Sequence, residues 1–128
     1  MVRAETVRQV GPLDDGFFMY CEEIDWCWRM RKAGWEVLCA PAAEVMHHGA
    51  QTTRKFREEM FVALWRSRFR LYEKHRGPRY TASVRRWVRL LVRLDSLRIQ
   101  RRLARGEIAE SEARALLSGY ARVAGLEG

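Results

Sequence analysis

The sequence has 128 residues, 48% of them apolar, and this size and composition fit one globular domain at most. No apolar run approaches the ~18 residues that a membrane-spanning helix needs, and no apolar core follows the first charged residues as in a signal peptide. The three cysteines have no metal-like spacing, so we expect them to be reduced and mostly buried.

The net charge of +8 is unevenly distributed along the chain. Residues 1–50 carry five Lys/Arg and eight Asp/Glu, a net charge of −3, whereas residues 51–128 carry nineteen and eight, a net charge of +11. This asymmetry predicts two different roles. The basic part is suited to phosphates of lipid or of nucleic acid.

The first part of the chain reads as a mixture of helix and strand. A short helix over 3–10 ends at Gly11, and a turn-rich link follows. After an apolar run at 17–20, a helix is predicted from Glu22 to Ala33, with Ile24, Cys27 and Trp28 able to face a core. Alternation predicts a strand over 35–39, and residues 44–47 predict a second extended piece before a small-residue loop.

The second part reads as three helices, over about 53–75, 81–105 and 109–124. In the middle one, Arg85, Arg89 and Arg93 repeat at intervals of four residues. They are predicted to lie on a face separate from an apolar stripe, which comprises Val84, Trp87, Val88, Leu91 and Leu94.

Three carboxylates, Glu22, Glu23 and Asp25, open the acidic helix. A helix N-terminus tolerates negative charge, so these groups can stay ionised there, and one of them could accept a proton. The alternative is ordinary capping chemistry, with Asp25 and Arg29 forming an i,i+4 ion pair.

Four blocks follow one another within about residues 1–53. They are Gly11-Pro12-Leu13-Asp14-Asp15-Gly16-Phe17-Phe18-Met19-Tyr20, Glu22-Glu23-Ile24-Asp25 with Arg29, Ala33-Gly34-Trp35, and Val45-Met46-His47-His48-Gly49. In their order and spacing these blocks resemble glycosyltransferase family 2, most closely its rhamnosyltransferase-like members.

The resemblance implies an α/β fold, namely the C-terminal, acceptor-side part of a GT-A nucleotide-diphospho-sugar transferase fold over 1–53. A basic, amphipathic all-α region would follow over 54–128, so that the chain is mostly helical overall. The implied activity is inverting transfer of a sugar from a nucleotide-sugar to an acceptor hydroxyl, in the synthesis of cell-surface polysaccharide.

The resemblance also implies roles for single residues. The family's general base falls on Glu23, where Glu replaces the usual Asp, and Glu22 and Asp25 are the competing candidates. Arg29 and His48 would contact or orient the acceptor.

A divalent metal, Mn²⁺ or Mg²⁺, is the implied cofactor, and most of its ligands would come from the family's donor-binding half. His47 is one candidate ligand, and the alternative is a histidine that caps a strand end. The donor-binding half precedes the matched blocks in the family, and its Asp-x-Asp motif does not occur in this sequence. We therefore expect the isolated chain to be inactive.

The implied partners are a nucleotide-sugar donor and a lipid-linked saccharide or polysaccharide acceptor. The location is predicted to be cytoplasmic, with or without peripheral attachment to the inner face of the cell membrane. Arg85, Arg89 and Arg93 would meet anionic lipid there. The alternative is that the apolar side of this helix packs on the rest of the protein.

Two other functions compete. A basic helical protein that binds nucleic acid would explain the charge but leaves the acidic block unexplained, so nucleic acid is not the expected partner. The second competing function is that of a scaffold protein, which would dock through an exposed aromatic patch on the helix over 53–75.

Overall fold

The computed structural model describes residues 1–46 and 57–126, and five helices order this part of the chain. They are α1 (Ala4–Val10), α2 (Glu22–Lys32), α3 (Arg57–Arg76), α4 (Pro78–Ala104) and α5 (Glu110–Ala124). Each lies within a few residues of a helix predicted from the sequence.

The predicted α/β fold class is wrong for this structure. The described residues contain no strand and no sheet, and residues 35–40 follow α2 without regular structure. A strand is stable only when a neighbouring strand satisfies its backbone groups, and alternation of side chains does not supply that neighbour. The second extended piece, at 44–46, is likewise irregular, and residue 47 lies outside the described ranges.

The three long helices form a bundle around one apolar cluster. Its buried members are Val62, Phe69, Val88, Val92 and Val123. Gly119 of α5 lies so close to α3 that a Cβ there would be 3.3 Å from the Cγ atom of Glu58. The small residue therefore permits the close approach of these two helices.

A second, smaller cluster joins the N-terminal segments to the bundle. Phe17 and Cys21 are buried with Leu71 of α3, and Tyr20 and Trp28 pack at the edge of this cluster. The start of α2 is thereby placed against the second half of α3.

Candidate functional site

The backbone enters α2 through an unusual turn. Tyr20 and Cys21 have φ angles of 69° and 68°, in the left-handed region that non-glycine residues rarely adopt. Upstream of this turn, the Ser67 hydroxyl donates a hydrogen bond of 2.7 Å to the carbonyl oxygen of Met19. The turn is thus fixed to α3 by one polar contact and by the burial of Phe17 and Cys21.

Asp25, in the first turn of α2, is fully buried, and its carboxylate accepts hydrogen bonds from three charged or polar side chains. Its Oδ1 lies 2.7 Å from Nε2 of His75 and 2.8 Å from Nζ of Lys74, and its Oδ2 lies 2.8 Å from Nε of Arg29. The predicted ion pair between Asp25 and Arg29 is therefore confirmed. Two further donors come from the end of α3, about fifty residues away in sequence.

Burial alone would raise the pKa of the Asp25 carboxyl, because it disfavours the charged form. The hydrogen bonds from Lys74, His75 and Arg29 outweigh burial and hold its pKa below the ordinary value. Asp25 is therefore an ionised group with occupied oxygens, which suits a residue that positions others better than one that accepts a substrate proton.

The hydrogen-bond pattern around His75 assigns its tautomer. Nζ of Lys32 lies 3.0 Å from Nδ1 of His75, and an ammonium group can only donate. Nδ1 is therefore the acceptor, and Nε2 carries the proton that it donates to Asp25. The ring also makes an edge contact with Trp28 at 4.9 Å between ring centroids.

Lys74 connects Asp25 to a second carboxylate, Asp14, in the link before α2. Its Nζ lies 2.6 Å from Oδ2 of Asp14, and Nη2 of Arg70 lies 3.0 Å from Oδ1. The bond from Lys74, with help from the backbone N–H of Gly16 and from Arg70, lowers the pKa of Asp14 well below its ordinary value. Lys74 thus serves as a shared counter-ion.

Arg29 also holds the link between α1 and α2. Its Nη2 donates to the carbonyl oxygen of Pro12 at 2.6 Å, and its Nη1 donates to that of Val10. Trp26 donates from Nε1 to the carbonyl oxygen of Gly11 at 2.8 Å. Because its donors are bound within the protein, Arg29 stabilises the fold around the site.

The other two predicted acids differ from Asp25 in exposure. Glu23 is exposed, whereas Glu22 is partly buried and its Oε2 has no hydrogen-bond partner among the described residues. Burial of the Cys21 thiol raises its pKa, and the charges of Glu23 and Glu22 add to this effect, whereas Arg68 lowers it. Glu23 is thus the carboxylate at the start of α2 that faces solvent.

The carboxylates of Asp25 and Asp14 are not free to bind a divalent cation. Both oxygens of Asp25 already accept bonds from side-chain donors, and Asp14 is likewise bound by Lys74 and Arg70. Within residues 1–46 and 57–126, no three His, Cys, Asp or Glu side chains lie close enough together to hold a metal ion. The predicted ligand His47 and the predicted acceptor contact His48 lie outside these ranges.

The three arginines predicted for a membrane surface do not share one solvent face. The guanidinium carbon of Arg85 lies 5.1 Å from the centroid of the Phe69 ring, and Nε of Arg89 donates to the carbonyl oxygen of Ala124 at 3.0 Å. Arg93 is exposed. Arg85 and Arg89 therefore make contacts within the bundle.

The sequence reasoning missed the contribution of α3 to this site. His75 ends the helix predicted over 53–75, a position typical of a surface or helix-dipole residue, but its side chain is only 3% exposed and it binds Asp25. Lys74 and Asp14 were given no role. The adjacent Lys74 and His75 at a helix end were a signal for binding a carboxylate, but nothing local indicated which carboxylate.

None of the described helices is long and apolar enough to cross a membrane.

Comparison with known proteins links part of this chain to rhamnosyltransferases. No family model and no solved structure matches the chain. It is 45% identical over 53 residues to the N-acetylglucosaminyl-diphospho-decaprenol L-rhamnosyltransferase of Mycobacterium tuberculosis strain H37Rv. The matched residues are 41% of this chain and 17% of that protein. The chain is also 34% identical over 76 residues to rhamnosyltransferase WbbL of Escherichia coli strain K12. The matched residues are 59% of this chain and 29% of that protein.

The chain therefore spans less than a third of the length of either of these curated relatives. The likeness to rhamnosyltransferases predicted from the sequence is confirmed over part of the chain. The position of this segment within a whole enzyme stays a prediction.

Proposed function

We propose that this chain forms the acceptor side of a glycosyltransferase that moves rhamnose from a nucleotide-sugar to a lipid-linked saccharide. The 45% identity to a rhamnosyltransferase, whose name specifies N-acetylglucosaminyl-diphospho-decaprenol, is the observation that carries the proposal. Because the chain spans a minor part of that relative, the proposal assigns donor binding to the rest of the enzyme.

Glu23 is the proposed general base. It is the exposed carboxylate at the start of α2, whereas Asp25 beside it is buried and its oxygens are occupied. A sugar hydroxyl is a weak nucleophile, and a base within hydrogen-bond reach removes its proton as its oxygen attacks the anomeric carbon. The bond from that carbon to the nucleotide diphosphate breaks, and the diphosphate leaves with the electron pair.

Asp25, His75 and Lys74 have a positioning role in this proposal. They fix the first turn of α2 to the end of α3, so that the backbone carrying Glu23 is held on both sides. Precise placement matters, because a displacement of about 1 Å can reduce a rate about a hundredfold.

Membrane attachment is proposed through the outer face of α4. Five apolar side chains there are between 44% and 66% exposed, namely Trp87, Leu90, Leu91, Leu94 and Leu97. We call this set the α4 ridge. Exposed arginines, Arg86 and Arg93 along one side and Arg98 at its end, suit anionic lipid.

The test of sugar transfer uses the protein purified from its source cells with a C-terminal tag, so that any natural extension or partner is present. Transfer of radiolabelled rhamnose from its nucleotide derivative to lipid-linked N-acetylglucosamine is measured. Glu23→Gln is expected to lower kcat by about 10²–10⁴-fold, the usual contribution of a general base.

Glu112→Gln, an exposed acid on α5, is the matched control and is expected to retain wild-type kcat. Absence of transfer by the wild-type protein would contradict the proposed activity. Full activity of Glu23→Gln would contradict only the assignment of the base.

A further inference from the structure

A cavity of about 670 Å³ lies between the link before α2 and the bundle, and Glu23 is not among its lining residues. Four cations and two carboxylates line it, a net formal charge of +2, and they are Arg66, Arg70, Lys74, Arg85, Asp14 and Glu73. We call this cavity the basic pocket. Phe69 and Leu126 add an apolar wall.

The cations of the basic pocket come from two helices. Arg66, Arg70 and Lys74 are spaced four residues apart, which places them on one side of α3. Arg85 faces them from α4. Like charges four residues apart on a helix repel each other, and an anion that binds among them reduces this repulsion.

Asp14 neutralises only part of this charge. It binds Arg70 and Lys74, and Lys74 is shared with Asp25. Neither Arg66 nor Arg85 forms an ion pair with an acid among the described residues. Arg66 and Arg85 are thus the two cations at the pocket that form no ion pair within the described residues, although Glu73 also lines the pocket.

Arg85 also has an unused donor. Its Nε is buried and has no hydrogen-bond acceptor among the described residues, while its guanidinium group stacks on Phe69. A buried donor without an acceptor costs about 1–3 kcal/mol in general, so an acceptor that reached this group would stabilise the structure.

We propose that the basic pocket binds a diphosphate anion through Arg66 and Arg85, with Arg70 and Lys74 contributing positive charge. Diphosphate oxygens can accept from several directions at once, and the arginine fork matches phosphate geometry. A charge of −2 or more on the ligand balances the net +2 of the lining. This site does not require that Glu23 act as a base.

The test is isothermal titration calorimetry of the full chain with inorganic pyrophosphate. Binding is expected for the wild type. Arg66→Gln and Arg85→Gln are each expected to weaken it by about tenfold, because each removes a charge-assisted hydrogen bond. Arg66 is exposed, so its replacement tests the pocket even if Arg85→Gln perturbs the bundle.

Arg101→Gln is the matched control, because Arg101 is exposed on α4, the helix that carries Arg85, and does not line the pocket. It is expected to bind pyrophosphate within twofold of the wild type. No binding by the wild type, or equal losses in Arg66→Gln and Arg101→Gln, would overturn the proposal.

Two further titrations identify the source of the diphosphate. A short prenyl diphosphate that binds more tightly than pyrophosphate would support a lipid carrier, and a nucleoside diphosphate that does so would support a nucleotide. Binding of either one that Arg66→Gln does not weaken would contradict its placement in the basic pocket. Because these readouts need no sugar transfer, the diphosphate site and the proposed activity can fail separately.

Discussion

Asp25 combines full burial with three donors from two helices, so this one side chain joins the start of α2 to the end of α3. A buried carboxylate is costly unless it is paired and hydrogen-bonded. Here the pairing is complete, so removing the charge leaves Arg29 and Lys74 without their common acceptor.

Asp25→Asn is therefore expected to lower the free energy of unfolding by about 3 kcal/mol, within the range for breaking a buried ion pair from one side. Urea denaturation monitored by circular dichroism measures this change. The matched control is Asp95→Asn on α4, whose pair with Arg98 is exposed, and a loss below about 1 kcal/mol is expected there. Equal losses in the two variants would refute the special role of Asp25.

The inward-facing side of α2 shows what the sequence can and cannot predict about single residues. Its span, its first-turn acids and its Asp25–Arg29 pair follow from local rules. The same rules placed Ile24 in the core, yet Ile24 is 38% exposed and Asp25 is buried. Only the donors from α3 make burial of the carboxylate favourable, and their position depends on tertiary structure.

At the scale of whole elements, α4 has two different sides. Val88 and Val92 are buried in the bundle, while the α4 ridge faces outward. The predicted apolar stripe contained residues from both sides. A periodicity of 3.6 residues shows that a helix is amphipathic, but it does not show which part of a broad apolar stripe packs against the other helices. α3 ends at Arg76, one residue beyond the predicted end, and α4 begins at Pro78, a common position for proline.

Attachment of the α4 ridge to membranes can be tested by co-sedimentation with vesicles that contain anionic phospholipid. Each basic residue near such a surface contributes about 1 kcal/mol, so Arg86→Gln with Arg93→Gln is expected to weaken binding roughly 30-fold. Trp87→Ser with Leu94→Ser is expected to weaken it at least as much, since both side chains would leave the apolar layer.

The control for these variants is Arg31→Gln with Arg114→Gln, which removes the same charge from exposed positions on α2 and α5. It is expected to bind vesicles nearly as well as the wild type. Equal losses in the control would indicate a nonspecific charge effect and would contradict a role for this face of α4.

At the scale of the whole molecule, hydrogen-bonded carboxylates connect segments that are distant in sequence. Asp14 and Asp25 tie the N-terminal segments to α3, and Glu58 ties α3 to α5 through Ser118 and Arg122. In each case the hydrogen bonds from these partners lower the pKa of the carboxyl. The stability of the fold should therefore depend on acid pH.

The sign follows from the direction of these pKa shifts. The folded state binds protons less readily than the unfolded state, where an Asp carboxyl has a pKa of about 3.9, so the stabilisation is complete above that value. It is lost as the pH falls through the lower folded-state pKa. The free energy of unfolding is expected to decrease from about pH 5 toward pH 2.

Urea denaturation over this pH range measures the effect, and Asp25→Asn is expected to show a shallower dependence than the wild type. The same slope in both proteins would mean that Asp25 does not contribute to the acid sensitivity. A flat profile in the wild type would contradict the ion-pair network as a whole.

The left-handed backbone at Tyr20 and Cys21 has a consequence for how this site could evolve. Each such residue stores about 1–3 kcal/mol of strain, which glycine would relieve. Glycine would also make the turn more flexible, and this turn sets the direction in which the side chains of Glu22 and Glu23 project. Glycine at either position would therefore exchange precise placement of the turn for a relaxed backbone.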